Sequence, residues 1–137
     1  MADYDVIDVG AGNAAMVAAL SAREAGAEKV LVLEKAPKDM RGGNTHWSGG
    51  IFRFAFDQPR DIEPLLADLG ADYLNFFDGV SPYTQADFMG DLMRVTRGRS
   101  DPELSKILVS QSHDAVFWAH DHCGVPMEPA ITIAGVK

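Results

Sequence analysis

The stretch Asp5-Val6-Ile7-Asp8-Val9-Gly10-Ala11-Gly12-Asn13-Ala14-Ala15 decides how the chain is read. Residues 5–9 have the character of a short strand, and residues 14–25 form an Ala-rich run that predicts a helix starting inside the glycine turn. Gly10 permits the tight turn out of the strand and Gly12 lets a pyrophosphate approach the backbone. Ala15 takes the third small position, where helix and strand pack closely. Unpaired amides and the positive end of the helix dipole favour an anion at such a turn by about 0.3 to 2 kcal/mol, before individual hydrogen bonds are counted.

Working outward, Gly26 ends the predicted helix, and Val30, Leu31, Val32 and Leu33 make the continuous apolar run of a buried parallel strand. Glu34 stands at its tip. A carboxylate about 20 residues beyond a glycine turn accepts hydrogen bonds from ribose hydroxyls and repels a 2′-phosphate. A glycine turn alone is equally compatible with a plain helix start; strand, turn, helix, strand and acid in that order predict a dinucleotide site. One residue breaks the pattern. Position 8 of the first strand should face the core, yet it is Asp8, so its carboxyl is expected to be protonated, paired or near an open edge.

A second glycine cluster follows closely: Arg41, Gly42, Gly43, Asn44, Thr45, His46, Trp47, Ser48, Gly49 and Gly50. Two glycine pairs around polar residues let the backbone wrap an extended ligand and offer it amides and hydroxyls, whereas a simple nicotinamide site leaves this loop without a use. Its composition by itself also suits an ordinary surface loop.

At these residues the chain resembles the fumarate reductase and succinate dehydrogenase flavoprotein family. The likeness is carried by residues 5–12, by Leu33, Glu34, Lys35, Ala36 and Pro37, and by residues 41–45 and 48–50. Within that family it is most similar to the soluble FAD-dependent tricarballylate dehydrogenases, through residues 52–57, 82–84 and 101–104. The resemblance implies noncovalent FAD. It places Gly10, Gly12, Asn13 and Ala14 at the pyrophosphate, Glu34 at the adenosine ribose and Lys35 beside the adenosine. It also lays Gly43, Asn44 and Thr45 along the pyrophosphate and flavin side, and Gly49 and Gly50 against the isoalloxazine. Some relatives attach FAD covalently through a His just before the position of Thr45; Asn44 stands there in this chain. His46 is displaced from that place and reads as a loop His.

A chain of 137 residues can form one domain. The family, by contrast, resembles a two-domain protein several times longer, and residues 131–137 look like the start of a strand or buried segment, so the chain is read as an N-terminal fragment. The expected fold class is α/β: a Rossmann-like βαβ FAD-binding portion over residues 1–56, followed by a mainly helical continuation over 57–137, the whole an incomplete domain. A formal net charge of −8 argues against a nucleic-acid partner. Arg94, Arg97 and Arg99 form the one dense basic run and fall where cations complement a helix C-terminus. No stretch reaches the about 20 apolar residues needed to cross a bilayer, and the acidic start lacks a signal peptide's basic region, so a cytoplasmic location is expected. Cys123 has no second cysteine to pair with.

The second half predicts helices. A short one is expected over 63–69; a second begins at Thr84 with Asp87 as its capping partner, carries Phe88, Leu92 and Val95 on its apolar face and stops at Gly98. A third starts at Asp101-Pro102 and ends near Gly124, with Leu104, Ile107, Leu108, Ala115, Trp118 and Ala119 as its packed stripe. His113, His120, His122 and Cys123 suggest a metal set, but His120 and His122 fall on different helix faces and no further ligand completes it, so no metal site is assigned.

The function expected from this reading is hydride transfer between FAD and a di- or tricarboxylic acid such as tricarballylate, with an electron acceptor that the sequence does not identify. The resemblance puts the catalytic groups beyond the C-terminus, so no catalytic residue is named and the chain alone is expected to be inactive. Two other readings compete: a noncatalytic nucleotide-binding fragment, and an NAD-binding Rossmann module, for which residues 42–50 stay unexplained.

Overall fold

The computed structural model describes residues 3–130, the side chains of 71–75 excepted. Residues 131–137, for which a strand or buried segment is expected, lie outside the described residues. The chain divides into two compact units, Met1–Ile51 and Phe52–Lys137.

The first unit is a βαβ arrangement. Strand β1 (Val6–Val9) and strand β2 (Val30–Leu33) pair in parallel, with Val6 opposite Val30 and Val9 opposite Leu33, and helix α1 (Asn13–Glu24) crosses between them and packs on both. Helix α1 is Ala-rich because it lies close to the strands, and Ala19 is its buried residue. It stops where Gly26 takes φ +100°, a conformation that favours glycine. The Arg23 guanidinium then donates to the carbonyls of Ala27 and Glu28, steadying the turn into β2. The Asp5 carboxylate accepts the N–H groups of Glu28 and Lys29 at 2.9 and 2.8 Å, which ties the start of one strand to the start of the other.

Along β1, half-buried Val6 and Asp8 alternate with exposed Ile7 and Val9, Val9 being 85% exposed. Asp8 therefore takes the inward position that its place in the strand dictates. Its Oδ2 is buried and has no hydrogen-bond partner among the described residues.

In the second unit, Phe56 and Tyr83 exchange backbone hydrogen bonds of 2.8 and 3.1 Å as an isolated antiparallel bridge. Between them runs a 3₁₀ segment, Pro59–Gly79, interrupted at Gly70 (φ 70°, ψ −155°). It takes the place of the short helix expected over 63–69: Pro64 lacks an amide donor inside the run and Gly70 breaks it. Ile62, Leu65, Leu66 and Phe77 from this segment form a core cluster with Val116. Ala55, Phe88 and Val109 form a second cluster.

Helix α2 (Gln85–Thr96) begins with the expected capping box, Thr84 and Asp87 each accepting the other's backbone N–H. Phe88 is buried and Leu92 half-buried as expected, but Val95 is 64% exposed. The helix ends in a Schellman turn, Gly98 N–H reaching the Met93 carbonyl at 2.8 Å, with Arg97 already left-handed at φ 55°. Arg99 donates to the terminal carbonyl of Thr96, and Arg94 pairs with Asp91 of the preceding turn at 2.8 Å, so one of the three arginines satisfies the helix end and another bridges to its own helix.

Helix α3 (Pro102–Asp121) starts as its sequence dictates, Asp101 Oδ1 accepting the Leu104 N–H at 2.9 Å. The expected packed stripe is corrected. Leu104 (67% exposed), Ile107, Leu108 and Ala115 face outward, Trp118 and Ala119 are half-buried, and the buried face is Ser105, Val109, Ser112 and Val116. That face is rotated about 100° from the apolar stripe, one residue's turn along a helix. Serines can occupy it because their hydroxyls are satisfied: Ser105 Oγ donates to the Asp101 carbonyl (2.6 Å), while Ser112 Oγ donates to Val109 (2.9 Å) and accepts the N–H of Ala55 (3.0 Å).

Candidate functional site: the glycine turn and its neighbours

The glycine turn leaves β1 with Gly10 at φ +114°, where a side chain would be strained, and its N–H donates to the Leu33 carbonyl at 2.6 Å. Gly12 then caps α1 in extended conformation, with no side-chain cap. Among the described residues, nothing accepts from the N–H groups of Gly12, Ala14 or Ala15, so the first turn of α1 presents free donors. These donors and the dipole behind them suit a phosphate group.

Three of the predicted site residues meet within this unit through hydrogen bonds or close approach. Thr45 Oγ1 accepts the N–H of Asn13 at 3.0 Å. A Cβ added to Gly12 would lie 3.2 Å from the Gly42 carbonyl oxygen and 3.4 Å from Thr45 Oγ1, so the two glycine segments touch where a side chain would separate them. Residues Gly43–Trp47 form a short 3₁₀ helix that opens with Thr45 N–H to Gly42 O (3.1 Å) and closes with Ser48 N–H to Thr45 O (3.2 Å), with Gly42 at φ +103°.

Glu34 lies at the centre of these contacts. Its Oε2 accepts the N–H of Ala11 at 3.0 Å and that of Gly42 at 3.4 Å, and its Oε1 accepts the N–H of Ala36 at 2.8 Å. These backbone donors, Ala36 foremost and then Gly42, hold its pKa below the ordinary carboxylate value. A carboxylate has about four lone-pair directions, so three accepted bonds leave room for a ribose hydroxyl.

The remaining predicted residues are less engaged. Ala14 lies in the free first turn, Lys35 is exposed, and Gly43 and Asn44 are exposed in the 3₁₀ turn. Gly49 and Gly50 are exposed at φ 70° and 74°, the Gly50 N–H reaching Ser48 Oγ at 3.2 Å. Ala11, Ala36 and Gly42 belong to the same polar network and are missing from the cofactor-binding residues expected from the sequence. Gly42 carries a legible signal, the first of a glycine pair at positive φ, but backbone donors such as Ala11 and Ala36 leave no trace in residue identity.

The second unit holds two other polar arrangements. Arg53 Nη1 lies 3.0 Å from Asp91 Oδ2 and 3.2 Å from the Tyr83 hydroxyl, which itself donates to Asp91. Burial, the largest influence, raises the Tyr83 pKa, and Arg94, then Tyr83, hold that of Asp91 low. An open cavity of about 470 Å³ is lined by Phe56, Asp57, Gln85, His113, Asp114 and Phe117, among others. His113 stacks on Phe117, His120 Nδ1 lies 2.6 Å from Asp121, and His122 stacks on Trp118. Among the described residues no group of three or more His, Cys, Asp or Glu is placed to hold a metal, and no helix is long and apolar enough to cross a membrane.

Comparison with known proteins gives this geometry a family. The profile of the FAD binding domain matches residues 5–135. Two curated relatives are similar, both named fumarate reductase (cytochrome), from Shewanella frigidimarina and from its strain NCIMB 400. Each is 32% identical over 114 residues, which is 83% of this chain but 17% and 16% of the relatives. The chain thus spans about a sixth of the length of the curated relatives it matches. No solved structure matches significantly. With the family profile covering nearly the whole chain, and a glycine turn of free amides fitted to a dinucleotide, the chain belongs to the FAD binding domain family and its cofactor is FAD.

Proposed function

We propose that the chain is the FAD-holding part of a flavin-dependent oxidoreductase that moves a hydride to or from a di- or tricarboxylic acid, tricarballylate being the leading substrate. The observation that carries this reading is the junction of the two glycine segments at Gly12, Gly42 and Thr45, beside the free amides of α1. A Rossmann-like order of strand, turn, helix, strand and acid supports it, as do the similar fumarate reductases. Residues 1–56 are read as the FAD-binding segment and 57–137 as its mainly helical continuation.

When bound, the flavin supplies the two-electron redox chemistry. The chain's own residues bind and orient. The N–H groups of Gly12 and Ala14 take the pyrophosphate, with Gly10 and Asn13 beside it. Glu34 takes a ribose hydroxyl on its remaining lone pair, with Lys35 alongside. Gly43, Asn44 and Thr45 would follow the ligand toward the flavin, and the exposed backbone of Gly49 and Gly50 would lie at the ring. Asn44 provides no nucleophilic imidazole, so FAD is held noncovalently. No residue of the chain is assigned to proton transfer. On this reading residues 1–137 alone do not turn over, and the enzyme works in a cytoplasmic setting with a separate electron acceptor.

The test is a visible spectrum of the purified protein after FAD loading and desalting, with NAD as competitor. Retained flavin bands that NAD does not displace are the expected result. NAD bound in preference to FAD overturns the reading. In the flavin-loaded full-length protein, anaerobic bleaching by tricarballylate, and not by a monocarboxylic acid, is expected; no bleaching by any di- or tricarboxylic acid overturns the substrate class.

A further inference from the structure

We infer that Glu34 and Thr45 are positioning residues, whose side chains clasp the second glycine segment to the first glycine turn before any ligand binds. The inference goes beyond a ribose contact for Glu34, and only its consequence for affinity rests on the FAD reading.

The argument starts from what else could hold residues 42–45 in place. Almost nothing apolar does: from Pro37 to Gly50 every residue is exposed except Gly42 and Thr45. Glycine-rich backbone loses the most conformational freedom when ordered, so this segment needs a specific attachment. The attachments present are polar and come from two side chains. Glu34 Oε2 bridges the Ala11 N–H of the turn and the Gly42 N–H of the segment, and Oε1 anchors the carboxylate to its own strand end through Ala36. Thr45 Oγ1 adds the second link by accepting the Asn13 N–H, the first residue of α1. Between the two links the backbones of Gly12 and Gly42 come into contact, which the absence of a Cβ on Gly12 allows.

The links serve different atoms. The carboxylate satisfies donors at both sides of the junction, which a neutral side chain with one acceptor does less well. The hydroxyl takes a donor from the very turn of α1 that presents free amides, leaving Gly12, Ala14 and Ala15 for an anion. A ligand that meets a preassembled junction does not have to order this loop of twelve exposed residues as it binds, so the clasp favours affinity beyond any contact that its side chains make with the ligand.

Amide hydrogen exchange on the ligand-free protein tests the clasp, with Glu34→Ala, Thr45→Val and Thr45→Ser as variants. The N–H groups of Ala11 and Gly42 are expected to exchange about tenfold faster in Glu34→Ala, and that of Asn13 about tenfold faster in Thr45→Val. Thr45→Ser is expected to restore protection at Asn13. Amides in the second half of α1 and in β2 should keep their rates and so report that the first unit is folded in each variant. Unprotected Ala11, Asn13 and Gly42 in the unmodified protein, or rates that Glu34→Ala and Thr45→Val leave unchanged, overturn the inference. A second measurement separates it from the ribose role. Glu34→Ala is expected to weaken both ADP and 2′,3′-dideoxy-ADP, whereas a pure ribose ligand would weaken ADP alone, and that result overturns the clasp. If neither nucleotide binds the unmodified protein, the FAD reading fails while the exchange result still decides the clasp.

Discussion

Gly12 and Gly42 approach so closely that a Cβ on Gly12 would stand 3.2 Å from the Gly42 carbonyl oxygen. That atom belongs to the backbone and cannot swing aside as a side-chain tip could. Gly12→Ala is therefore expected to push the Gly42 segment back by a few tenths of an ångström and lower flavin retention about tenfold, an effect of the size of one lost hydrogen bond. Flavin absorbance per chain after desalting measures it. Gly26→Ala, a strained turn away from the junction, should lower the melting temperature and leave retention of the folded protein unchanged.

Asp8 has a buried Oδ2 without a partner among the described residues, inside a strand whose neighbours are apolar. Asp8→Val removes a polar atom that costs about 1 to 3 kcal/mol to leave unsatisfied. A higher melting temperature is expected in thermal denaturation. An unchanged or lower value means that Asp8 is satisfied in solution.

Ser112→Ala should destabilise the second unit. The substitution deletes the acceptor of the buried Ala55 N–H, which lies 57 positions away in sequence, and the orphaned donor costs about 1 to 3 kcal/mol. Urea denaturation followed by tryptophan fluorescence should give a lower midpoint. Ser110, on the exposed side of α3, is the control: Ser110→Ala should change little.

Arg97 takes φ 55° in the turn that ends α2, a conformation costing a non-glycine residue about 1 to 2 kcal/mol. Arg97→Gly is expected to recover much of that and raise the melting temperature, and Arg97→Ala is not.

The Asp87 carboxylate, held below its ordinary pKa chiefly by the Thr84 hydroxyl and then by the Thr84 N–H, makes the start of α2 sensitive to acid. Its folded pKa lies below its unfolded one, so the unfolded state binds more protons and stability rises with pH. The contribution is complete above the ordinary Asp value near about 4 and is lost as pH falls through the depressed folded value. Thr84→Ala should cost about 1 kcal/mol at neutral pH and flatten the acid limb of the stability profile.

Local chemistry made parts of the chain readable from residue order alone. The two strands and the helix of the βαβ arrangement, the Thr84–Asp87 box and the Asp101-Pro102 helix start are each signalled by residues within a few positions of one another, and all are present. The packed face of α3 was not readable that way. Leu104, Ile107 and Leu108 have the stronger hydrophobic signal, yet α3 buries Ser105 and Ser112, whose hydroxyls donate to carbonyls of their own helix turn, and Ser112 in addition accepts the Ala55 N–H from 57 positions away. The 3₁₀ winding of Pro59–Gly79 was hidden for a related reason, because apolar spacing there suits either kind of helix.

At the ligand site the division is similar. Residue identity determined that Gly10 could take its positive φ, that Gly12 could be approached, and that an acid would stand at the tip of β2. Tertiary structure alone decided that this acid accepts from Ala11, Gly42 and Ala36, and that Thr45 takes the Asn13 amide. The reason is physical: every residue but proline carries the same backbone N–H, so a side chain shows what it can accept, and only the folded chain determines which amide reaches it.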